Sequence, residues 1–384
     1  MRYSRFSAIL FAVIIAAAPM LAITGAEVLK KVKKQVAPDS RQVVYELEFD
    51  GSTGATGVLR GVTSEASALQ ATVDALNAAG IAFENKAQAY PADNFGLVTI
   101  PVATLRTRPA HAGEVATQAV MGTPVRILDN KKGWMRIQTP DGYIAYVPDS
   151  SIASKSKAEM QAWQRDTTRL VVTNLRQVYL TSTPGSNNPR QCVSELCLSS
   201  IVTVKADAAA DSLWVCVQLP NGRYGWAERS NFTPINQWAN QDLDIDLILD
   251  TAYSMEGAPY LWGGTSNKCT DCSGLVKISY LNNGIILRRD ASQQALTGQR
   301  LGTDWAEYEA GDLLFFGDAA KGKVTHVGIY DSDSRYIHCS GRVKRNSLDP
   351  SASDYLYSTL WAVRIRGKVG TNGITRVADH PWFF

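Results

Sequence analysis

Between Val102 and Ala227 the sequence states one pattern twice, and this repetition constrains the fold more than any other feature. The first copy runs Leu105-Arg106, a turn-rich Pro109 to Gly113, Val125 to Leu128, Gly133-Trp134-Met135-Arg136-Ile137 and Gly142-Tyr143-Ile144-Ala145-Tyr146-Val147. The second, from Val171, runs Leu175-Arg176, Pro184-Gly185, Ile201 to Val204, Leu213-Trp214-Val215 and Gly222-Arg223-Tyr224-Gly225-Trp226-Ala227. Short alternating runs separated by polar turns have the period of half-buried strands. A chain written this way closes two small antiparallel barrels, placed at 101–153 and 169–235, with the polar, helix-compatible stretch around Ser154 to Asp166 as a connector at 154–168.

Ahead of the repeat, Val43 to Phe49 alternate like a strand, and Ala66, Leu69, Val73 and Leu76 recur at helical spacing within Ser64 to Ala79 before Gly80 stops the run. This predicts a small α+β unit at 27–100. Arg2 and Arg5 precede an apolar run from Phe6 to Ile23 and the small residues Thr24, Gly25 and Ala26, which reads as a signal peptide at 1–26. A retained membrane anchor is the alternative, since the run approaches the roughly 20 residues that span a bilayer. Its short length and small-residue exit favour removal, which places the mature protein beyond the cytoplasmic membrane, periplasmic or wall-associated, with no stable membrane insertion. A hydrophobic content of 45% and a charged content of 20% describe folded material, and a net charge of +3 over 384 residues gives no reason to expect nucleic acid as a partner.

From Asn236 the character changes. Leu243, Leu247, Leu249 and Tyr253 form a helical pattern that leads into a turn at Gly257 to Gly264 and a second helix. Candidate strands follow at Asp312 to Phe316, Val324 to Tyr330, Arg335 to Ser340 and Leu360 to Arg366, an α+β unit at 236–384. Asp271-Cys272-Ser273-Gly274 runs into Leu275, Val276, Ile278 and Leu281, so Cys272 stands at a helix N-terminus, where free amides and the helix dipole favour a thiolate and can also hold an oxyanion. A thiol nucleophile needs a base, and the chain has four histidines, His111, His326, His338 and His380. His326 and His338 occupy consecutive predicted strands. A hairpin turning near Asp331 to Ser334 brings their rings to one face only if an odd number of residues connects the paired strands.

The two repeated stretches resemble bacterial SH3-like domains. The order Tyr260-Leu261-Trp262-Gly263-Gly264, Asp271-Cys272-Ser273-Gly274, Gly311 to Phe316, His326 to Tyr330 and Ile337-His338 resembles the NlpC-type cell-wall cysteine peptidases. The resemblance implies a papain-like catalytic domain behind two all-β SH3-like barrels and the N-terminal unit. It implies Cys272 as nucleophile, His326 as general base, His338 as the polar residue orienting that base, and the Tyr260 hydroxyl beside the Cys272 amide in the oxyanion hole. Asp271 and Ser273 are implied in holding substrate. So are Glu114 and a tyrosine of the first barrel, Tyr143 with Tyr146 as the alternative, on the free amine of the terminal L-Ala. The family segment Arg-Asp-Ser-x-x-Gln is here Arg289-Asp290-Ala291-Ser292-Gln293-Gln294. Its Ser, a substrate contact in the family, is Ala291 in this chain. Ser292 is kept as a candidate contact, although in an extended segment it would point elsewhere. The implied reaction is cleavage between D-γ-glutamate and an L-diamino acid in peptidoglycan-derived peptides, without a cofactor or metal. An amidase cutting the muramoyl to L-Ala linkage and a non-catalytic wall-binding protein are the competing readings.

Cys269-Thr270-Asp271-Cys272 is also a C-x-x-C sequence. Zinc ligation of the finger type is disfavoured by the eleven residues between His326 and His338, and a thioredoxin-like site by the polar, glycine-containing run that precedes the motif. A reversible Cys269–Cys272 disulfide that switches the enzyme off is retained as an expectation. Cys192, Cys197 and Cys216 either share a disulfide or are buried free thiols.

Overall fold

The computed structural model describes residues 23–51, 56–205 and 213–384. Among the described residues two compact units form: residues 23–38 with Tyr45–Ala89, and Asp39–Val44 with Tyr90–Phe384. In the smaller unit, strand Tyr45–Asp50 pairs antiparallel with Gly57–Thr63. The latter pairs parallel with Phe83–Asn85 and Gln88–Ala89, the crossover being helix Ala66–Ala78. A second helix, Gly25–Val36, was not expected. Thr24 and Glu27 form a capping box at its start, so the residues read as the exit of a signal peptide begin a helix, and the boundary expected at 26 falls inside it. The apolar run through residue 22 lies outside the described residues.

The repeat is real at the level of topology. One seven-stranded sheet runs, in spatial order, 152–155, 95–98, 124–131, 134–138, 144–148, 102–106, 115–120. The other runs 232–234, 169–172, 201–204, 214–218, 224–228, 178–181, 192–196, the same connectivity strand for strand. The first barrel therefore starts at Phe95, ahead of residue 101, because Phe95–Val98 is paired on both edges and buries Leu97 and Val98. Helix Lys157–Arg165 joins the two barrels.

The last segment builds a six-stranded sheet in the order 299–301, 361–364, 313–318, 323–330, 335–340, 342–347, with every neighbouring pair antiparallel. Helix Cys272–Asn282 packs on it, with Leu275, Val276 and Ile278 against Phe315, Val327, Ile329 and Ile337 in one core. Side chains from both barrels are built into this part of the molecule. Leu198 of the second barrel belongs to the same core. Asp141 of the first barrel pairs with Lys277 on the helix at 2.7 Å, and both are buried.

Candidate active site

The helix carrying Cys272 starts where it does because Asp271 caps it. Asp271 Oδ1 accepts from the Gly274 amide at 2.8 Å, and Oδ2 accepts from the Gly263 amide at 2.9 Å. Gly274 is required here, since a Cβ would stand 2.0 Å from the Gly264 carbonyl oxygen. Behind the cap lies Arg289, fully buried, donating to Asp271 at 2.6 and 3.1 Å, to Ser273 Oγ at 2.9 Å and to Thr117 Oγ1 of the first barrel at 2.9 Å. With these partners the Asp271 carboxylate fixes the start of the helix, and the residue also lines the cleft.

Burial, reinforced by the Asp271 charge, pushes the Cys272 thiol up to about 11, against the opposing pull of the Val327 backbone, Arg289 and the Ser273 backbone. The expected lowering at a helix N-terminus is thus outweighed by desolvation in the free site. Burial, aided by His338, pulls His326 down to about 3, and burial pulls His338 down to about 4. The resting site consequently holds a neutral thiol and neutral imidazoles.

Strand Lys323–Tyr330 pairs with Arg335–Ser340 in the register Gly328↔His338 and Tyr330↔Tyr336, leaving five residues in the connection. His326 and His338 therefore share a face, with Nε2 of the former 2.7 Å from Nδ1 of the latter. Sequence reasoning missed the next link. Asn346, on strand Arg342–Ser347, places Oδ1 2.8 Å from His338 Nε2, while its Nδ2 donates to the Asp354 carbonyl. That carbonyl fixes the amide's orientation, so Oδ1 accepts and His338 Nε2 carries a proton. His338 Nδ1 is then the acceptor, His326 Nε2 is protonated, and Nδ1 of His326 is left as the basic nitrogen.

One cleft collects Cys272, Tyr260, Asp271, Ser273, Ala291 and Ser292 with Glu114 and Tyr143 of the first barrel, and with Arg41, Asp290, Trp262 and Lys323. Burial and the nearby Cys272 push the Tyr260 hydroxyl upward, which keeps it a donor. Burial, reinforced by the Asp290 charge, pushes the Tyr143 hydroxyl upward. Tyr146 instead lies under the Arg136 guanidinium. Ser292 is not in an extended segment: Ala291–Gln294 is a helical turn capped by Asp290, and this turn brings Ser292 to the cleft. Asp290 and Arg41 are cleft residues that sequence reasoning missed. Asp290 stands inside a motif whose other members draw the attention, and nothing in the sequence links residue 41 to residue 290. All six cysteines are free thiols; of the trio left open between a disulfide and buried thiols, Cys197 and Cys216 are buried and Cys192 is exposed, while Cys269 lies in a short strand paired with Ser266 and Cys272 opens the helix. Among the described residues no group of three or more His, Cys, Asp or Glu is placed to hold a metal ion.

A cysteine at the head of a core helix, packed on an antiparallel sheet that presents a hydrogen-bonded pair of histidines, defines a papain-like cysteine peptidase. The NlpC/P60 family model matches residues 257–365, and a model described as the bacterial dipeptidyl-peptidase Sh3 domain matches residues 105–152. The chain belongs to the NlpC/P60 family. It is 36% identical over 118 residues to the probable endopeptidase NlpC of Escherichia coli, covering 73% of that protein and 30% of this chain. It is 28% identical to a gamma-D-glutamyl-L-lysine dipeptidyl-peptidase of Bacillus cereus, over 62% of this chain and 70% of the relative. An NlpC/P60 family protein of Bacillus cereus, a solved structure, has the same fold, with a TM-score of 0.58 at 22% identity over 70% of this chain and 99% of that one.

Proposed function

We propose that this peptidase hydrolyses the D-γ-glutamyl to L-diamino acid bond of peptidoglycan stem peptides, acting outside the cytoplasmic membrane on muropeptides whose N-terminal L-Ala is free. The observation that carries this reading is that Glu114 and Tyr143, from a barrel, line the same cleft as Cys272. A carboxylate at that wall pairs with an ammonium, and an acylated nitrogen offers it no charge partner. The name of one relative, a gamma-D-glutamyl-L-lysine dipeptidyl-peptidase, supports the same bond.

In this reading Cys272 attacks the γ-carbonyl while His326 Nδ1 takes the thiol proton. The Cys272 amide and the Tyr260 hydroxyl hold the oxyanion. His326 then gives its proton to the departing amine, and water, activated by the same nitrogen, hydrolyses the thioester, breaking the C–S bond to free the γ-carboxyl product and returning the proton to the Cys272 thiol. His338 and Asn346 keep the His326 tautomer fixed. Mass analysis of products from purified muropeptides tests the proposal: release of the L-Ala-D-Glu dipeptide is expected. Release of an intact stem peptide from the sugar points to the amidase, and no product at all to a binding protein. Glu114→Gln should raise KM for a free tripeptide at least tenfold and leave the N-acetylated peptide nearly untouched.

A further inference from the structure

Arg41 reaches the cleft from Asp39–Val44, a short segment outside both stretches matched by the family models. The segment is docked on the first barrel, where the Ile144 amide donates to the Arg41 carbonyl at 2.7 Å and Gln138 Nε2 to the Gln42 carbonyl at 3.1 Å. Asp39 grips one edge of the guanidinium, Nε to Oδ1 at 2.8 Å and Nη2 to Oδ2 at 2.7 Å, and is itself held by Gln293 Nε2 at 2.8 Å. The fork is therefore preorganised, which favours bidentate recognition of a carboxylate. Its Nη1 corner donates to Asp290 Oδ2 at 2.7 Å and to Ser292 Oγ at 3.2 Å, so it straddles Ala291, which offers the cleft only a methyl group.

A γ-linked glutamyl residue leaves its α-carboxylate unblocked, between the L-Ala ammonium and the scissile carbonyl. The head of such a ligand carries one positive and one negative charge, and the free cleft already contains the matching pair in closed form. We propose that the Arg41–Asp290 ion pair holds the place of this dipolar head: the ammonium takes over Asp290 together with Glu114, and Arg41 receives the α-carboxylate. The ligand brings no net charge, so the exchange leaves the charge balance of the cleft unchanged, with each charge keeping an opposite partner. This inference rests on the γ-glutamyl reading and makes Arg41 a specificity-determining residue.

The test compares kcat/KM for L-Ala-γ-D-Glu-L-Lys with that for its α-amide, L-Ala-γ-D-isoglutaminyl-L-Lys, in the full-length wild type, R41Q and R41K. The wild type is expected to prefer the acid at least tenfold, mainly through KM. R41Q should lose at least tenfold more on the acid than on the amide, collapsing that preference, and R41K should restore part of it. Equal losses on both peptides would show that Arg41 only steadies Asp290, and that result overturns the proposal, as does a wild type that cuts acid and amide equally well. A wild type that cuts neither peptide overturns the γ-glutamyl reading itself, so the two failures are distinguishable.

Discussion

At Cys272 two effects oppose each other, and their balance decides how the nucleophile is activated. A helix N-terminus typically contributes a kcal/mol or so in favour of an anion, whereas burial of a lone charge costs several. Enclosure of the thiol by apolar side chains wins, and the proton stays on sulfur until substrate arrives. Activation is therefore by base, and Cys272→Ala should abolish turnover while Tm stays within a few degrees of the parent, since few contacts are lost. His326→Ala should fall nearly as far, and combining the two should add almost nothing, which kinetics on all three variants will show. The pH dependence follows from the same burial. His326 is held below its usual 6.5, so the unfolded chain binds more protons than the folded one between about pH 3 and 6.5. Stability should be lost as pH falls through that window, and His326→Gln should flatten the acid side of a Tm against pH curve. The acid limb of kcat/KM should likewise lie well below 6.5, and a limb at or above 6.5 in the free enzyme contradicts the neutral pair.

At the scale of elements, the histidine hairpin was legible and its outer support was not. His326 and His338 stood in alternating runs rich in Val, Ile and Tyr, and the parity of the connection is satisfied by the five residues between Tyr330 and Tyr336. Arg342–Ser347 has a single large apolar residue, Val343, and becomes a strand only because it pairs along Arg335–Ser340, a tertiary fact that its own composition does not carry. The register Tyr336↔Asn346 then puts Asn346 on the His338 face. Helix Ala66–Ala78 was visible from its spacing, while Gly25–Val36 was hidden because its first residues also fit a signal-peptide exit. Asn346 now gives the element its prediction. Asn346→Leu removes the acceptor that fixes the His338 tautomer, and kcat should drop about 10- to 100-fold with KM little changed, as for lost outer-shell orientation elsewhere. His338→Gln should retain more activity than His338→Ala, since an amide can both accept from His326 and donate to Asn346; equal losses would assign His338 a direct chemical role.

For the molecule as a whole, the larger unit is sewn together at charged points that cannot be left open. The repeated sequence pattern revealed two barrels and could not reveal their seam, because Asp141 and Lys277 are distant in sequence and each reads as an ordinary surface residue. In the structure Asp141 is wholly enclosed and Lys277 nearly so, their charges 2.7 Å apart, with Thr139 also donating to Asp141. Removing one member leaves the other charge buried without its counterion, which typically costs about 3–5 kcal/mol. Replacing both by apolar residues of similar volume is often neutral. Asp141→Leu alone should therefore lower Tm sharply and reduce activity, since Lys277 rides on the helix that begins at Cys272. Adding Lys277→Met should recover most of the lost Tm, measured by calorimetry, because the orphaned ammonium is gone. If the double variant is no more stable than Asp141→Leu, the ion pair does not couple barrel to nucleophile helix, and the seam must be held by the apolar contacts around it.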